Sequence, residues 1–316
     1  MQLLYLGMIF AGYFVFVTDV QGLAREHLHP LHEVAVVSVS VLSVATHLLT
    51  AFSDPGILTA ANLKRHTRAY PPDLVVYHHK YCTTCKLVRP AQSKHCALCN
   101  RCVSRFDHHC GWMNNCIGEG NLRFFLLFLA SNTFMCAYGA WMAYAAVLSD
   151  LEARGVLDGQ FRDGAAVFRM RDAPLATFRF SVFHYPMASS LGLFLGLVSL
   201  FLAGFTAFHL ALVARNLTTN ETYKWAEIRD FLRRDHEERT GEPVRVTWAQ
   251  WALGREPPGV AVPKNAYDRG LARNVAEAFV LPSNGVTEAP RLRRPGGGAG
   301  PETEAEPAAD GGRAGG

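Results

Sequence analysis

Apolar and polar positions are unevenly distributed along the 316 residues. Four windows contain no Asp, Glu, Lys or Arg: Met1 to Thr18, Val34 to Ser53, Phe124 to Ser149 and Phe180 to Ala214. A bilayer core about 30 Å thick is crossed by roughly 20 mostly apolar helical residues. Three windows reach that length and the first is slightly short. Helices buried in a soluble protein usually keep one charged stripe, and these windows have none. The pattern predicts four transmembrane helices: Gln2 to about Thr18, Val34 to Phe52, Phe124 to Ser149, and one within Phe180 to Ala214. The first window has no basic leader and no obvious small-residue cleavage site after Val20, so it reads as a span and not as a removed signal peptide.

The polar stretches between and after these helices differ in kind. Asp54-Pro55-Gly56 stops the second helix, since each of the three favours a turn. Ala60 to Val76 reads as a polar connector. The segment from Asp150 to Arg179 is rich in Gly, Asp and Arg. Beyond the fourth span, Trp225, Ile228, Phe231 and Leu232 recur at helical spacing with charge on the opposite face, which predicts a helix lying on the membrane or on the polar domain. From Pro295 onward only Gly, Pro, Ala and polar residues occur, the composition of a disordered tail. The expected layout is two helices in 1–53, a cytosolic domain in 54–123, two helices in 124–214, a cytosolic region in 215–281 and the tail in 282–316.

The net charge of +4 is too small to argue for nucleic acid, but its placement orients the chain. Lys and Arg number ten between Ser53 and Arg123, one between Asp19 and Glu33, and five between Asp150 and Arg179. Basic loops stay on the cytosolic side, which puts the segment after the second helix, and both termini, in the cytosol. Seven of the eight cysteines fall between Cys82 and Cys116. In that reducing compartment, metal binding is favoured over disulfides. Cys136, inside the third span, reads as a small packing residue.

The cysteine-rich stretch is a repeat. Cys82, Cys85, His95 and Cys102 recur fourteen positions later as Cys96, Cys99, His109 and Cys116, with gaps of two, nine and six residues. Two thiolates on one tight turn, with a distant His and Cys, are zinc-ligand spacing, so two sets imply two ions. The stretch also holds His108 and Cys110, which neither set uses. A spare thiol beside a spare imidazole is a nucleophile and base pair. The competing partition replaces a neighbouring ligand with His108 or with Cys110, which also stands fourteen residues after Cys96; using Cys110 would spoil the matching spacing of Cys116. The apolar residues here are few: Leu87, Val88, Leu98, Val103 and Phe106. Metal must therefore supply much of the folding free energy.

Asp107-His108-His109-Cys110, followed by Trp112, Asn114, Asn115, Cys116, Ile117, Gly118 and Asn121, resembles the DHHC family of protein S-acyltransferases (palmitoyltransferases). The resemblance implies an all-α polytopic membrane protein: four transmembrane helices, with a small cytosolic two-zinc cysteine-rich domain of short β-hairpins between helices 2 and 3. It implies ping-pong transfer of a fatty acyl chain from acyl-CoA (palmitoyl-CoA) to cysteines of target proteins. Cys110 would be the nucleophile, His108 the base and Asp107 the group that orients His108, with both zinc ions structural. Thr218, Thr219 and Glu221 resemble the family's Thr-Thr-x-Glu motif. Asn265, Tyr267 and Asn274 resemble its C-terminal aromatic motif. These two pieces look most like the branch that acylates cysteines beside the spans of SNARE-type membrane proteins, in endoplasmic reticulum or Golgi membranes. The rival class is an inactive membrane scaffold or partner-binding module with the same zinc ligands.

Two positions depart from the family pattern: Gly111 stands where Pro is usual, and Gln92 where Arg is common. Several other groups carry two readings. Lys80, Lys86, Arg89, Lys94, Arg101 and Arg105 suit either anionic lipid heads or the phosphates of coenzyme A. His78 and His79 read as solvated, His209 as packing, and His47 as a neutral imidazole bonded to a neighbouring helix. The sequons at Asn216 and Asn220 stay bare if they face the cytosol.

Overall fold

The computed structural model describes residues 1–163, 166–245, 247 and 259–280; the tail expected from 282 lies outside the described residues. Four helices are long and apolar enough to cross a membrane, as the charge-free windows predict. The first is longer than expected. α1 (Gln2–Val15) continues through a π-helical turn at Phe16–Val20 into α2 (Gln21–His27), so the element reaches past Thr18. α3 (Leu31–Phe52) returns, α5 (Leu122–Ala153) is the third span, and α7 (Pro186–Ala214) the fourth. The fourth window is broken: α6 (Pro174–His184) ends before Pro186, whose ring cannot continue the preceding helix. Within the expected connector lies a short helix, α4 (Leu63–Ala69).

α5 packs along both α7 and α3. Small residues permit the close approach: a Cβ on Gly139 would sit 2.8 Å from Leu195 Cδ1, and one on Gly192 would sit 3.2 Å from Ala143 Cβ. Polar pairs add interhelical hydrogen bonds. Tyr5 Oη donates to Asn132 Oδ1 at 3.0 Å, and the Thr46 and Ser131 hydroxyls meet at 2.9 Å. Leu3, Phe10, Phe14, Leu200 and Phe201 point outward, as lipid-facing side chains should. His47 is buried, with no hydrogen-bond partner at Nδ1 among the described residues, and its ring stacks on Tyr5 of α1 with centroids 4.2 Å apart.

Between α3 and α5 stand three two-stranded antiparallel hairpins: β1 (Lys80–Cys82) with β2 (Leu87–Arg89), β3 (Lys94–Cys96) with β4 (Arg101–Val103), and β5 (His108–Cys110) with β6 (Asn115–Ile117). Their hydrophobic core differs from the set the sequence suggests, since Met113 and Ile117 of the third hairpin are fully buried. Leu87, Val103 and Phe106 are buried, but Val88 and Leu98 are exposed.

Polar side chains fix the hairpins to the membrane helices. Asn115 Nδ2 donates to the carbonyls of Ala51 (3.1 Å) and Ser53 (2.9 Å), unpaired groups at the C-terminus of α3. Asp54 Oδ1 accepts from the amides of Gly56 and Ile57 at 2.8 and 2.9 Å, turning the chain. Gly118 is pressed against that turn, and a Cβ there would lie 2.6 Å from the Pro55 carbonyl oxygen. Buried Glu119 joins the Ser104 hydroxyl (2.8 Å) and His66 Nδ1 of α4 (3.0 Å).

A hairpin of β7 (Gln160–Asp163) and β8 (Ala166–Arg169) lies between α5 and α6. After α7 come α8 (Thr219–Thr240) and α9 (Leu271–Phe279). Asn265 Nδ2 donates to Arg215 O at 2.9 Å and Asn274 Nδ2 to Ala214 O at 2.8 Å, so these two motif residues cap the end of α7. Tyr267 Oη donates to Pro71 O at 2.7 Å, anchoring the connector.

Candidate active site and metal centres

Each predicted ligand set converges. The four ligand atoms of Cys82, Cys85, His95 and Cys102 lie within 4.8 Å of one another, as do those of Cys96, Cys99, His109 and Cys116. His95 Nδ1 is 3.6, 3.4 and 3.8 Å from the sulfurs of Cys82, Cys85 and Cys102. His109 Nδ1 is 3.7, 3.3 and 3.7 Å from those of Cys96, Cys99 and Cys116. A tetrahedral zinc with bonds of about 2.3 Å to sulfur and 2.0 Å to nitrogen has ligand-to-ligand edges of roughly 3.5–3.8 Å. Both sets fit that ion. Four protein donors in each leave no position for water.

Each set is shared between two hairpins. Cys82 and Cys85 lie at the turn of the first, while His95 and Cys102 face each other across β3 and β4. Cys96 and Cys99 lie at the turn of the second, while His109 and Cys116 pair across β5 and β6. An ion in each set would staple neighbouring hairpins, supplying what the thin apolar core lacks.

Cys110 and His108 belong to neither cluster. Asp107 precedes β5, and its Oδ2 lies 2.6 Å from His108 Nδ1. His108 and Cys110, two residues apart in β5, lie on the same side of the strand, and each favours the charged form of the other. Adjacent residues of an extended strand point apart, so Asp107 needs an outside hold. Thr219, first residue of α8, provides it: its amide donates to Asp107 Oδ1 at 2.7 Å and its hydroxyl to Oδ2 at 2.8 Å. Phe125 of α5 packs edge-on against the His108 ring, centroids 5.3 Å apart, and His209 of α7 lies at 6.0 Å. His209 is thus a buried packing residue, as expected, but one placed behind the site.

The electrostatics pair a cation with an anion. Burial disfavours a charged His108, yet the Asp107 carboxylate bonded to it and the neighbouring Cys110 sulfur outweigh that and push its pKa up to about 9. Burial likewise raises the Cys110 thiol; His108 and the amides of Met113 and Trp112 outweigh that and bring it below its ordinary value. Asp107 is held below the usual carboxylate range despite burial, chiefly by His108.

The two threonines divide their work. Thr218 is the N-cap of α8 in a reciprocal capping box: its hydroxyl accepts from the Glu221 amide at 3.2 Å, and Glu221 Oε2 accepts from the Thr218 amide at 2.8 Å. Gln92 Nε2 also donates to both Glu221 oxygens, at 3.1 and 3.2 Å. Burial raises the Glu221 carboxyl against these donors. Sequence reasoning noted Gln92 only as a departure; its partner lies 129 residues away, so no local pattern could reveal it. Arg105, expected on the basic surface, is buried and bonds Asn216. Of the remaining cations, Lys80, Arg89 and Lys94 line a groove with His78, His79 and Lys224, and Lys94 Nζ donates to Asn220 Oδ1 at 3.0 Å. Asn220 adjoins Thr219, so the groove borders the Asp107 hold.

A polytopic membrane protein with a Cys–His–Asp constellation on the hairpin that follows two cysteine-histidine clusters is the class these features define. Residues 75–226 match the family model described as DHHC palmitoyltransferase. A palmitoyltransferase named ZDHHC4 of Mus musculus is 34% identical over 291 residues, covering 89% of this chain and 76% of that protein. One named SWF1 of Candida albicans is 42% identical over 191 residues, covering 60% of this chain and 46% of that protein. The chain thus spans about half to three quarters of the length of these relatives. The chain belongs to the DHHC palmitoyltransferase family.

Proposed function

We propose that this protein is a palmitoyltransferase that acts through an acyl-Cys110 intermediate. The observation that carries the reading is the hydrogen-bonded series Thr219, Asp107, His108, set on the same strand face as Cys110 and outside both ligand sets. His108 takes the Cys110 proton. The sulfur attacks the thioester carbonyl of acyl-CoA, forming a new carbon–sulfur bond as the old one breaks, and the coenzyme A sulfur leaves as a thiol, taking the proton from His108. A cysteine thiol of a target protein then takes the acyl group and gives its proton to His108, restoring the thiol. One thioester replaces another in each step, so no nucleotide is needed. Asp107 holds Nδ1, which keeps the other ring nitrogen toward the thiol and stabilises the imidazolium.

The basic groove beside Asn220 suits the phosphates of coenzyme A, because Lys and Arg donors are concentrated there. The apolar cavity among Met8, Phe16, Val36, Tyr138 and Leu195 lies among the spans, where an acyl chain belongs. Zinc in the two ligand sets is structural. The layout is that of the expected segments, 54–123 and 215–281 facing the cytosol, both termini on that side, in an endoplasmic reticulum or Golgi membrane. Targets are membrane proteins with cytosolic cysteines beside their spans, SNARE-type proteins among them.

The test is to incubate detergent-purified, zinc-loaded protein with labelled palmitoyl-CoA and measure hydroxylamine-labile label. Wild type should take label, Cys110→Ser none, and His108→Ala far less. Unlabelled wild type would sink the reading in favour of an inactive scaffold.

A further inference from the structure

The three hairpins are one unit used three times. Cys82, Cys96 and Cys110 each end a first strand and pair across the turn with Leu87, Arg101 and Asn115. Each turn closes through a residue in the left-handed region, Lys86 (φ 52), Asn100 (φ 50) and Asn114 (φ 48). Every one of these correspondences advances by fourteen residues. Three places after the leading cysteine stand Cys85, Cys99 and Met113.

The metal sets join these units head to tail. The turn of the first hairpin faces the strand pair of the second, and the turn of the second faces the strand pair of the third. The series therefore has two open ends. At one, the strand pair of the first hairpin carries Tyr81 and Val88, which offer no ligand and are exposed. At the other, the turn of the third carries Cys110 and Met113, packed in one apolar cluster with Phe125, Leu126 and Leu129 of α5. Met113 is fully buried, its amide donates to Cys110 O at 3.2 Å, and its carbonyl accepts from Gln2 Nε2 at 2.6 Å.

We propose that Met113 is the specificity-determining residue that keeps Cys110 a nucleophile: the third hairpin is a metal knuckle whose second thiolate has been replaced by a thioether. Two thiolates on one such turn chelate a soft ion, and a metal-bound sulfur has its lone pairs engaged. A thioether is a poor zinc donor, so the same turn presents one thiol without trapping a metal. The purpose of a free Cys110 rests on the acyltransferase reading above; the lost ligand position rests on the register alone.

Full-length protein with Met113→Cys, Met113→His or Met113→Leu, reduced and carrying its two zinc ions, would be titrated with micromolar Zn2+. The readouts are maleimide modification of Cys110, followed by peptide mass spectrometry, and hydroxylamine-labile acyl label. In Met113→Cys and Met113→His, added zinc should slow both by on the order of tenfold, reversed by a mild chelator, because a second donor restores chelation. In wild type and Met113→Leu, zinc should change neither. Retention of two zinc ions identifies the folded variants, and the His substitution serves if the Cys one does not fold. Zinc-insensitive modification of Cys110 in a folded ligand-bearing variant overturns the proposal. Zinc protection of Cys110 together with an unlabelled wild type upholds Met113 and sinks only the acyltransferase reading.

Discussion

The site turns on side chains that hold other side chains. In the proposed reaction His108 serves Cys110 while Asp107 faces it, and Asp107 faces it with Thr219 donating to it twice. Hydrogen bonds to charged groups contribute about 1.5–3 kcal/mol. Thr219→Ala removes the hydroxyl and keeps the amide, so self-acylation should slow by roughly tenfold or more, while zinc content stays at wild-type level and Thr219→Ser recovers most of the rate. Equal rates for Ala and wild type would show that Asp107 is held some other way. Glu221 offers a second measurement. Its folded pKa is raised above the ordinary value, so its contribution to stability is full below the ordinary carboxylate range and is lost as pH rises through the folded value. Glu221→Gln removes that titration. The unfolding midpoint of wild type relative to this variant should therefore climb as pH is lowered from neutral toward 5. A pH-independent difference would mean that the Gln92 and Thr218 donors offset burial entirely. Gly111, suspect because Pro is usual there, leaves open space: an added Cβ would meet only Met1 Cγ, at 3.9 Å.

At the scale of elements, the hairpins and the helices are held by different forces. Three-residue strands with few buried apolar side chains cannot persist on burial alone. The helices satisfy their backbone internally and stay helical in lipid or detergent. Stripping metal with a strong chelator should abolish label uptake and open the 80–117 stretch to protease, while the helical circular dichroism signal stays nearly constant. Loss of that signal in parallel would mean that the spans depend on the metal domain. The joint between the two is Asn115, whose amide reaches the last carbonyls of α3. Asn115→Ala should cost about 1–3 kcal/mol, read as a lower unfolding midpoint, and should reduce labelling because it frees the hairpin that carries Cys110.

Across the whole molecule, the ends of α3, α5 and α7 that meet the hairpins and α9 define one face, and the connection from α5 to α6 lies at the other end of the spans. The basic residues are concentrated at the first face, and the proposed topology places that face in the cytosol. The sequons at Asn216 and Asn220 fall on that face, and Asn216 is buried, donating to Tyr267 O at 2.7 Å. Protein expressed in a secretory cell should therefore show no mobility shift on endoglycosidase treatment. A shift abolished by Asn220→Gln would reverse the topology.

The sequence alone determined the spans and the ligand sets, because each depends on a rule of spacing. A helix in lipid must exclude charge over a fixed length, and a tetrahedral ion needs paired thiolates on short turns. The leftover Cys110 and His108 followed by subtraction. Only the tertiary structure decided what surrounds them. Thr219 meets Asp107 across 112 residues and Gln92 meets Glu221 across 129, pairings set by how α8 docks on the hairpins and by no local period. The helix ends were misjudged where a span outruns the bilayer: α2 carries polar residues to His27, and Pro186 divides the last window. The third turn of the repeat was hidden because Met113 stands where the first two turns carry a second cysteine, and only the backbone register shows the matching hairpin.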